Sequence, residues 1–478
     1  MTVANPARAA ADFNGRRSAS GRRSTLIVVY LSLGGLAFSV LQSLVAPALG
    51  TIARDLSAST SETSWVLTAY LLSASVLTPV LGRLGDMVGK RQILIVVLAV
   101  LLAGTVLAAL ASNLGVLIAA RVLQGAAGSV MPLSIGIVRD ELPRERVSVT
   151  IGLLSATFGV GGGIGIAAAG PIVQSLNWHW LFWSPTVLIV IALLGAVFGM
   201  PESSVRKPGR LDILGSVILS AALASILLAV SNGRNWGWES DRTLGLLALG
   251  VIALVAFVLV ELRVREPLVD LRLFTIRGVW TAHLVALVIG FAMFAVFVLI
   301  PPLLELPNNA GYGFGMTVTQ AGLLLLPTVI AMVALGPMAG VLVRTRGAKL
   351  PMLLGSILVA AAFGLPAIAH DRLWQIVVSG ILVGAGIGLA LAATANAIID
   401  AVPSTQSGEA ISANAIARTV GSSIGTAAIA TLLTAHISAP GVPSDGGFTI
   451  AFWTGAAVTL VAVLAVLAAP SVRRTPRR

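Results

Sequence analysis

Residues 64–112 read SWVLTAYLLSASVLTPVLGRLGDMVGKRQILIVVLAVLLAGTVLAALAS. Two apolar runs, each close to the roughly 20 residues that a helix needs to cross a bilayer core, flank a short segment. That segment holds every charge of the stretch: Arg83, Asp86, Lys90 and Arg91. The same alternation continues in both directions. Apolar runs fall near 25–49, 64–82, 92–112, 114–138, 149–173, 179–200, 212–232, 243–262, 278–303, 316–343, 350–369, 373–397, 410–435 and 447–469, which makes fourteen candidate spans. The chain thus reads as an all-α polytopic membrane protein. Its composition agrees: of 478 residues 10% are charged, 57% are hydrophobic and none is cysteine. Ordinary soluble domains are about 25% charged, so soluble, disordered, collagen-like and disulfide-stapled classes are excluded. The first run follows Arg16, Arg17, Arg22 and Arg23 and leads into Pro47-Ala48-Leu49-Gly50. It is too long for a signal-peptide core and lacks a small-x-small cleavage site, so it is expected to be retained.

Charge placement gives an independent check. With the N-terminus inside, 25 of the 31 Lys and Arg fall in inside segments, against Arg54, Arg234, Arg242 and Arg372 outside and Arg121 and Arg418 within spans. This positive-inside bias predicts a multi-pass protein with both termini cytoplasmic. Trp65, Trp178, Trp180, Trp236, Trp238, Trp374 and Trp453 fall at outer boundaries, as an aromatic belt would. The net charge of +12 is therefore read as topology and contact with anionic lipids, not nucleic-acid binding.

Pro79-x-x-Gly82-x-Leu84-x-x-x-x-Gly89 recurs as Pro337-x-x-Gly340-x-Leu342-x-x-x-x-Gly347, a constant offset of 258. The first copy joins spans two and three and the second joins ten and eleven. The shift of eight spans predicts two six-helix halves with two further helices between them. The expected units are a basic cytoplasmic tail (1–24), an N-terminal half (25–200), two inserted helices with flanking loops (201–276), a C-terminal half (277–469) and a second basic tail (470–478).

Gly82-Arg83-Leu84-Gly85-Asp86-Met87-Val88-Gly89-Lys90-Arg91 resembles the signature loop between helices two and three of the major facilitator superfamily. Arg121-Val122-Leu123-Gln124-Gly125 resembles its fourth-helix motif. The fifth span, with Gly152, Gly159, Gly161, Gly162, Gly163, Gly165 and Gly170-Pro171, resembles the antiporter motif of its drug-exporting branches. Fourteen spans are similar to the 14-helix drug:proton antiporters. The resemblance implies the major facilitator fold in a bacterial inner membrane. It also implies export of small hydrophobic or amphipathic compounds, with protons as coupling ion. It implies that Gly82, Arg83, Asp86, Gly89, Lys90 and Arg91 form a conformational latch. Two departures stand out. The family's Gly-Pro pair aligns with Gly165-Ile166, leaving the proline missing or displaced to Pro171, and the acid common in span one is replaced by Leu41-Gln42-Ser43.

Elementary chemistry sharpens these residues. Asp86, the only acid in its loop, could accept N–H groups at a neighbouring helix start or pair with Arg139. Arg121 costs about 2.5–3.5 kcal/mol within a span, so it either faces a cavity or partner, with Gln124 on its helix face, or snorkels outward. Arg418, one turn after Asn414, is its counterpart in the second half and is open to a functional or a structural role. Gly161 and Gly165 form a face for close helix packing. No acid lies near the middle of any span, so the titrating candidates are Glu305, at the outer end of span nine, and His283, in its inner half. A cavity with arginines and few acids suits neutral or anionic amphiphiles better than dications. No phosphate-binding loop, metal-ligand spacing or nucleophile triad occurs, so no ATP, cofactor, metal or enzyme activity is expected. The alternatives are a lipid or metabolite exporter, a facilitator without proton coupling, or a membrane sensor that does not transport.

Overall fold

The computed structural model describes residues 6–468 except 203–208, 210, 265–266, 269, 308–310 and 440–441. The basic tail expected at 470–478 and the side chains of residues 1–23 lie outside the described residues. Fourteen helices are long and apolar enough to cross a membrane: α1 (Ser24–Asp55), α2 (Trp65–Val88), α3 (Lys90–Ala109), α4 (Leu114–Glu141), α5 (Arg144–Ser175), α6 (Trp180–Gly199), α7 (Ile213–Val230), α8 (Asp241–Glu261), α9 (Arg277–Glu305), α10 (Thr319–Arg346), α11 (Lys349–Ile368), α12 (Leu373–Ala401), α13 (Ser407–Ala435) and α14 (Asp445–Ala468). A short antiparallel pair, β1 (Ile437–Ala439) and β2 (Val442–Pro443), links the last two. The helix leading into α1 begins at Pro6, so most of the segment expected as a tail is helical.

Caps set the breaks where hydropathy gives little signal. Asn113 accepts the Val116 N–H at 3.0 Å and starts α4. Ser59 and Glu62 form a capping box ahead of α2, and the two bonds to Ser59 hold the Glu62 carboxyl below its ordinary range. The Gln375 side chain accepts the Arg372 N–H at 2.8 Å and fixes the start of α12.

The duplicated motif is a structural duplication. Gly89 and Gly347 both have positive φ, 139° and 82°, which let the chain turn at once from α2 into α3 and from α10 into α11. Gly82 lies against Gly408 and Ser412 of α13, and Gly340 lies against Ser148 and Val149 of α5. Both copies therefore sit on the seam between the halves, one on each side. A Cβ at position 340 would meet the Ser148 carbonyl, which is backbone and cannot step aside. Gly340→Val is expected to cost about 1–3 kcal/mol through overpacking, read as a lower Tm of the detergent-solubilised protein. An unchanged Tm would mean that this seam is loose.

α5 is packed on two faces. Gly161 and Gly165 face Leu36, Ser39, Val40 and Ser43 of α1, while Gly152, Gly159 and Gly163 face Gly336, Met332 and Val329 of α10. Gly170 has no atoms close to it, Pro171 is exposed, and the helix passes through both. Among the glycines of this helix, Gly165 is thus the last in close contact with a neighbouring helix. The inserted α7 lies against α2 and α13, with Leu219 and Leu223 packed near Ile416 and Val420. α8 packs on α7 and leaves Leu249, Ile252 and Val255 exposed. Trp178 does not join an aromatic belt. It is buried, stacked on His179, and donates its Nε1–H to Asp55 at 2.6 Å, because its loop closes over the end of α1. Trp65, Trp180, Trp374 and Trp453 are exposed at helix ends.

Candidate functional site: a buried ionic cluster and a central cavity

At the end of the bundle where Gly89 and Gly347 turn, here the basic end, buried charges bridge the two halves. The Asp86 carboxylate accepts the N–H groups of Gly408 at 3.3 Å and Glu409 at 3.0 Å. These are unpaired donors at the positive start of α13, a natural site for an anion. Lys90 Nζ lies 3.3 Å from Asp86 and 2.8 Å from Asp140. Arg83 reaches Glu409 at 3.6 Å, and Glu409 also accepts the Asp270 N–H from the connector after α8. Arg139 does not pair with Asp86. It donates to the Val402 and Pro403 carbonyls at 2.6 and 3.2 Å, because the end of α12 lies nearer. Arg91 turns outward to the Ala196 and Val197 carbonyls that close α6. Arg83, Asp86, Lys90, Asp140 and Glu409 are almost fully excluded from solvent, and this end is closed.

Arg121 does not snorkel. It is fully buried between α2 and α4. Nε donates to the Val66 carbonyl at 3.1 Å, Nη1 to Gln124 at 2.7 Å, and the guanidinium lies 4.1 Å from the Tyr70 ring centroid. Gln124 passes a bond on to Thr105 at 3.2 Å. A desolvated cation–π pair is worth about 2 kcal/mol or more, which offsets part of the burial cost.

Beyond Tyr70 opens a cavity between α1, α2, α4, α9 and α13. Phe38, Met293 and Phe294 give it apolar walls, while Gln42, Tyr70 and Arg418 give it polar ones. A second cavity lies nearer the basic end between α4, α5, α12 and α13 and is lined by Ser155 and Asn414. Arg418 and Ala415 line both. Gly290 of α9 packs against the Arg418 carbonyl, which fixes α13 tightly at this level. Arg121 lines neither cavity, since Tyr70 stands in front of it.

The titrating candidates fall outside. Glu305 is exposed at the far end of α9 and lines neither cavity. His283 is buried, stacked on Phe274 and 3.4 Å from the Asn414 amide, which itself donates to the Ala282 carbonyl. Among the described residues lining the two cavities there is no Asp, Glu or His.

Three participants were not legible as partners. Glu409 and Asp140 carry no motif or spacing in the sequence that would pair them with Arg83 and Lys90. Tyr70 carries a signal, being one of only three tyrosines and lying within a span. It is 2% exposed, and its hydroxyl has no hydrogen-bond partner among the described residues.

A family model described as Major Facilitator Superfamily matches residues 31–306 and 282–478. The chain is similar to the Multidrug transporter protein MdtP of Bacillus subtilis (strain 168), 27% identical over 429 residues, covering 88% of this chain and 78% of that one. It is also similar to the Tetracenomycin C resistance and export protein of Streptomyces glaucescens, 28% identical over 432 residues, with coverage of 88% and 78%. Among solved structures, the human organic anion transporter MFSD10 (TETRAN) shares the fold at a TM-score of 0.66 and 16% identity, over 94% of this chain and 99% of that one.

Proposed function

Since this chain belongs to the Major Facilitator Superfamily and is a multi-pass membrane transporter of it, we propose that it exports small hydrophobic or amphipathic compounds by alternating access, driven by the proton gradient. The observation that carries this reading is the central cavity. It has apolar walls with a few polar groups, lies between α1 and α2 of one half and α9 and α13 of the other, and sits above a basic end closed by buried ions. The names of MdtP and the tetracenomycin protein favour the same substrate type. The basic end faces the cytoplasm of a bacterial cell on this reading, with Arg and Lys side chains against anionic lipids and both termini inside.

The cluster of Arg83, Asp86, Lys90, Arg139 and Glu409, with Gly82 and Gly89 allowing the close approach, acts as the latch of the closed basic end. Arg121 with Gln124 stiffens the wall of the cavity behind Tyr70. Protons, in turn, are carried off the cavity, at His283 beside Asn414 or at the basic-end carboxylates, because no Asp, Glu or His is among the described residues lining either cavity. That same observation favours one second reading, a facilitator or lipid carrier without proton coupling.

The two readings separate in liposomes holding the purified protein under an imposed pH gradient. Added neutral, cationic and anionic amphiphiles should each be tested for proton release. Proton flux triggered by a transported compound is the expected result. Compound movement without proton flux would replace antiport by facilitated passage, and no movement of any compound would overturn export altogether.

A further inference from the structure

The polar groups of the central cavity differ in how far their hydrogen bonds are already used. Ser75, Thr78, Thr419 and Ser422 each donate to the carbonyl one turn back on their own helix, at 2.8, 2.5, 3.0 and 2.9 Å. Their protons are thus committed to backbone. Arg418 is the one charged residue among the described residues lining this cavity, and it already has a partner of its own. Two side chains remain. Gln42 is partly exposed, lines the cavity and makes no hydrogen bond to a described residue. Tyr70 lines it too, and its hydroxyl has no hydrogen-bond partner among the described residues. Phe38 ties the two together: Gln42 follows it by one turn on the same face of α1, and its ring centroid lies 6.4 Å from that of Tyr70.

We infer that the central cavity selects uncharged amphiphiles whose polar head carries a carbonyl oxygen, and that Gln42 is the residue that reads it. The Gln42 amide N–H donates to that oxygen, and the Tyr70 hydroxyl supplies a second donor. The apolar body packs in the same cavity with Phe38, Met293 and Phe294. Both donors sit within membrane spans, where an unmet polar group is costly. A compound that enters displaces water from them. A carbonyl replaces the lost bonds, whereas an apolar group of the same shape leaves the donors bare and is rejected. Charged heads gain less. An anion gives up its hydration and meets an arginine that is already partnered, and no described carboxylate lines the cavity to receive a cation. The inference rests on the export reading above and adds the chemistry of the head and the residue that selects it.

The test compares fluorenone with fluorene, two uncharged compounds of one ring frame that differ by a carbonyl against a methylene. Binding to the purified full-length protein is measured by equilibrium dialysis against empty detergent micelles, which removes each compound's own partition. Fluorenone is expected to bind about ten-fold more tightly than fluorene. Gln42→Met keeps the side-chain length and removes the donor, so it should weaken fluorenone, leave fluorene unchanged and erase most of the preference. Tyr70→Phe, which keeps the ring over Arg121, should remove a smaller part, and it keeps the inference testable if Gln42→Met does not fold. The infrared stretch of the bound carbonyl is a readout that a packing role would not move. It should lie lower on the wild-type protein than on Gln42→Met, as that of a hydrogen-bonded carbonyl does. Fluorenone carboxylate should bind more weakly than fluorenone carboxamide. Equal binding of fluorenone and fluorene, an equal loss for both in Gln42→Met, an unshifted stretch, tighter binding of the carboxylate, or binding of neither compound would overturn the inference. Export is tested separately by the liposome experiment above. Movement there of charged amphiphiles alone leaves export standing and removes this inference, and movement of none removes both.

Discussion

Asp86→Asn is expected to lower transport by about ten-fold or more while the protein still inserts normally. The carboxylate accepts two N–H groups at the start of α13 and faces Lys90, all within the closed basic end. Asparagine offers one neutral oxygen, and its NH2 would confront the same donors. Hydrogen bonds to a charged group are worth about 1.5–3 kcal/mol each. If these exist only in the closed state, their loss moves the open–closed balance by about ten- to a hundred-fold. Lys90 keeps Asp140 at 2.8 Å, so the first half itself is not expected to unfold. The chain has no cysteine, which makes a direct readout possible. Ser407→Cys introduces a thiol that is buried under the closed end. Its maleimide labelling should accelerate about ten-fold or more when Asp86→Asn is added. Wild-type transport together with unchanged labelling would remove the latch assignment.

Arg121→Ala should abolish gradient-driven transport, an effect of more than about an order of magnitude, without harming insertion. Removing a guanidinium from a span favours insertion by about 2.5–3.5 kcal/mol, so poor insertion is not the expected cause of any loss. What disappears is the fork joining the Val66 carbonyl, Gln124 and the Tyr70 ring. Without it, Tyr70 loses its backing and Gln124 keeps only Thr105. Lysine is no substitute, since an ammonium cannot bridge two acceptors in one plane while stacking on a ring, so Arg121→Lys should recover only part of the rate. Membrane content and Tm measured beside the rates separate a transport defect from misfolding. An unaffected gradient-driven rate in Arg121→Ala, with normal membrane content, would leave the residue a purely structural role.

Much of the architecture follows from the sequence, because bilayer solvation acts locally. A run such as Leu94–Leu107 is committed to lipid or protein interior wherever its neighbours lie, and Arg83, Lys90 and Arg91 mark the end of a span by their own transfer cost. Fourteen spans, the duplicated motif, the turns at Gly89 and Gly347 and the weak joint at Asn113 are all properties of single continuous segments. The same local reading failed at Trp178, where a boundary tryptophan found Asp55 across 123 positions and left the interface.

The site was legible in its residue types and not in its pairings. Asp86 has the chemistry of an acceptor for a helix start, yet only the fold supplies that start, 322 and 323 positions away at Gly408 and Glu409. Arg139 was an equally good partner by charge, and it went to the α12 carbonyls because of where α12 ends. Whether Arg121 snorkels or is buried depends on the presence of Tyr70 and Gln124 around it. Whether Glu305 or Arg418 meets the cavity depends on how α9 and α13 are rotated against each other. The sequence by itself determined which segments cross the membrane, how many, and which carry the paired motif, since those rest on each residue's own preference for water or hydrocarbon. Tertiary structure alone decided which charges are partners and which face the cavity, since the energy of a buried charge is set by groups within a few ångströms that the chain brings from hundreds of residues away.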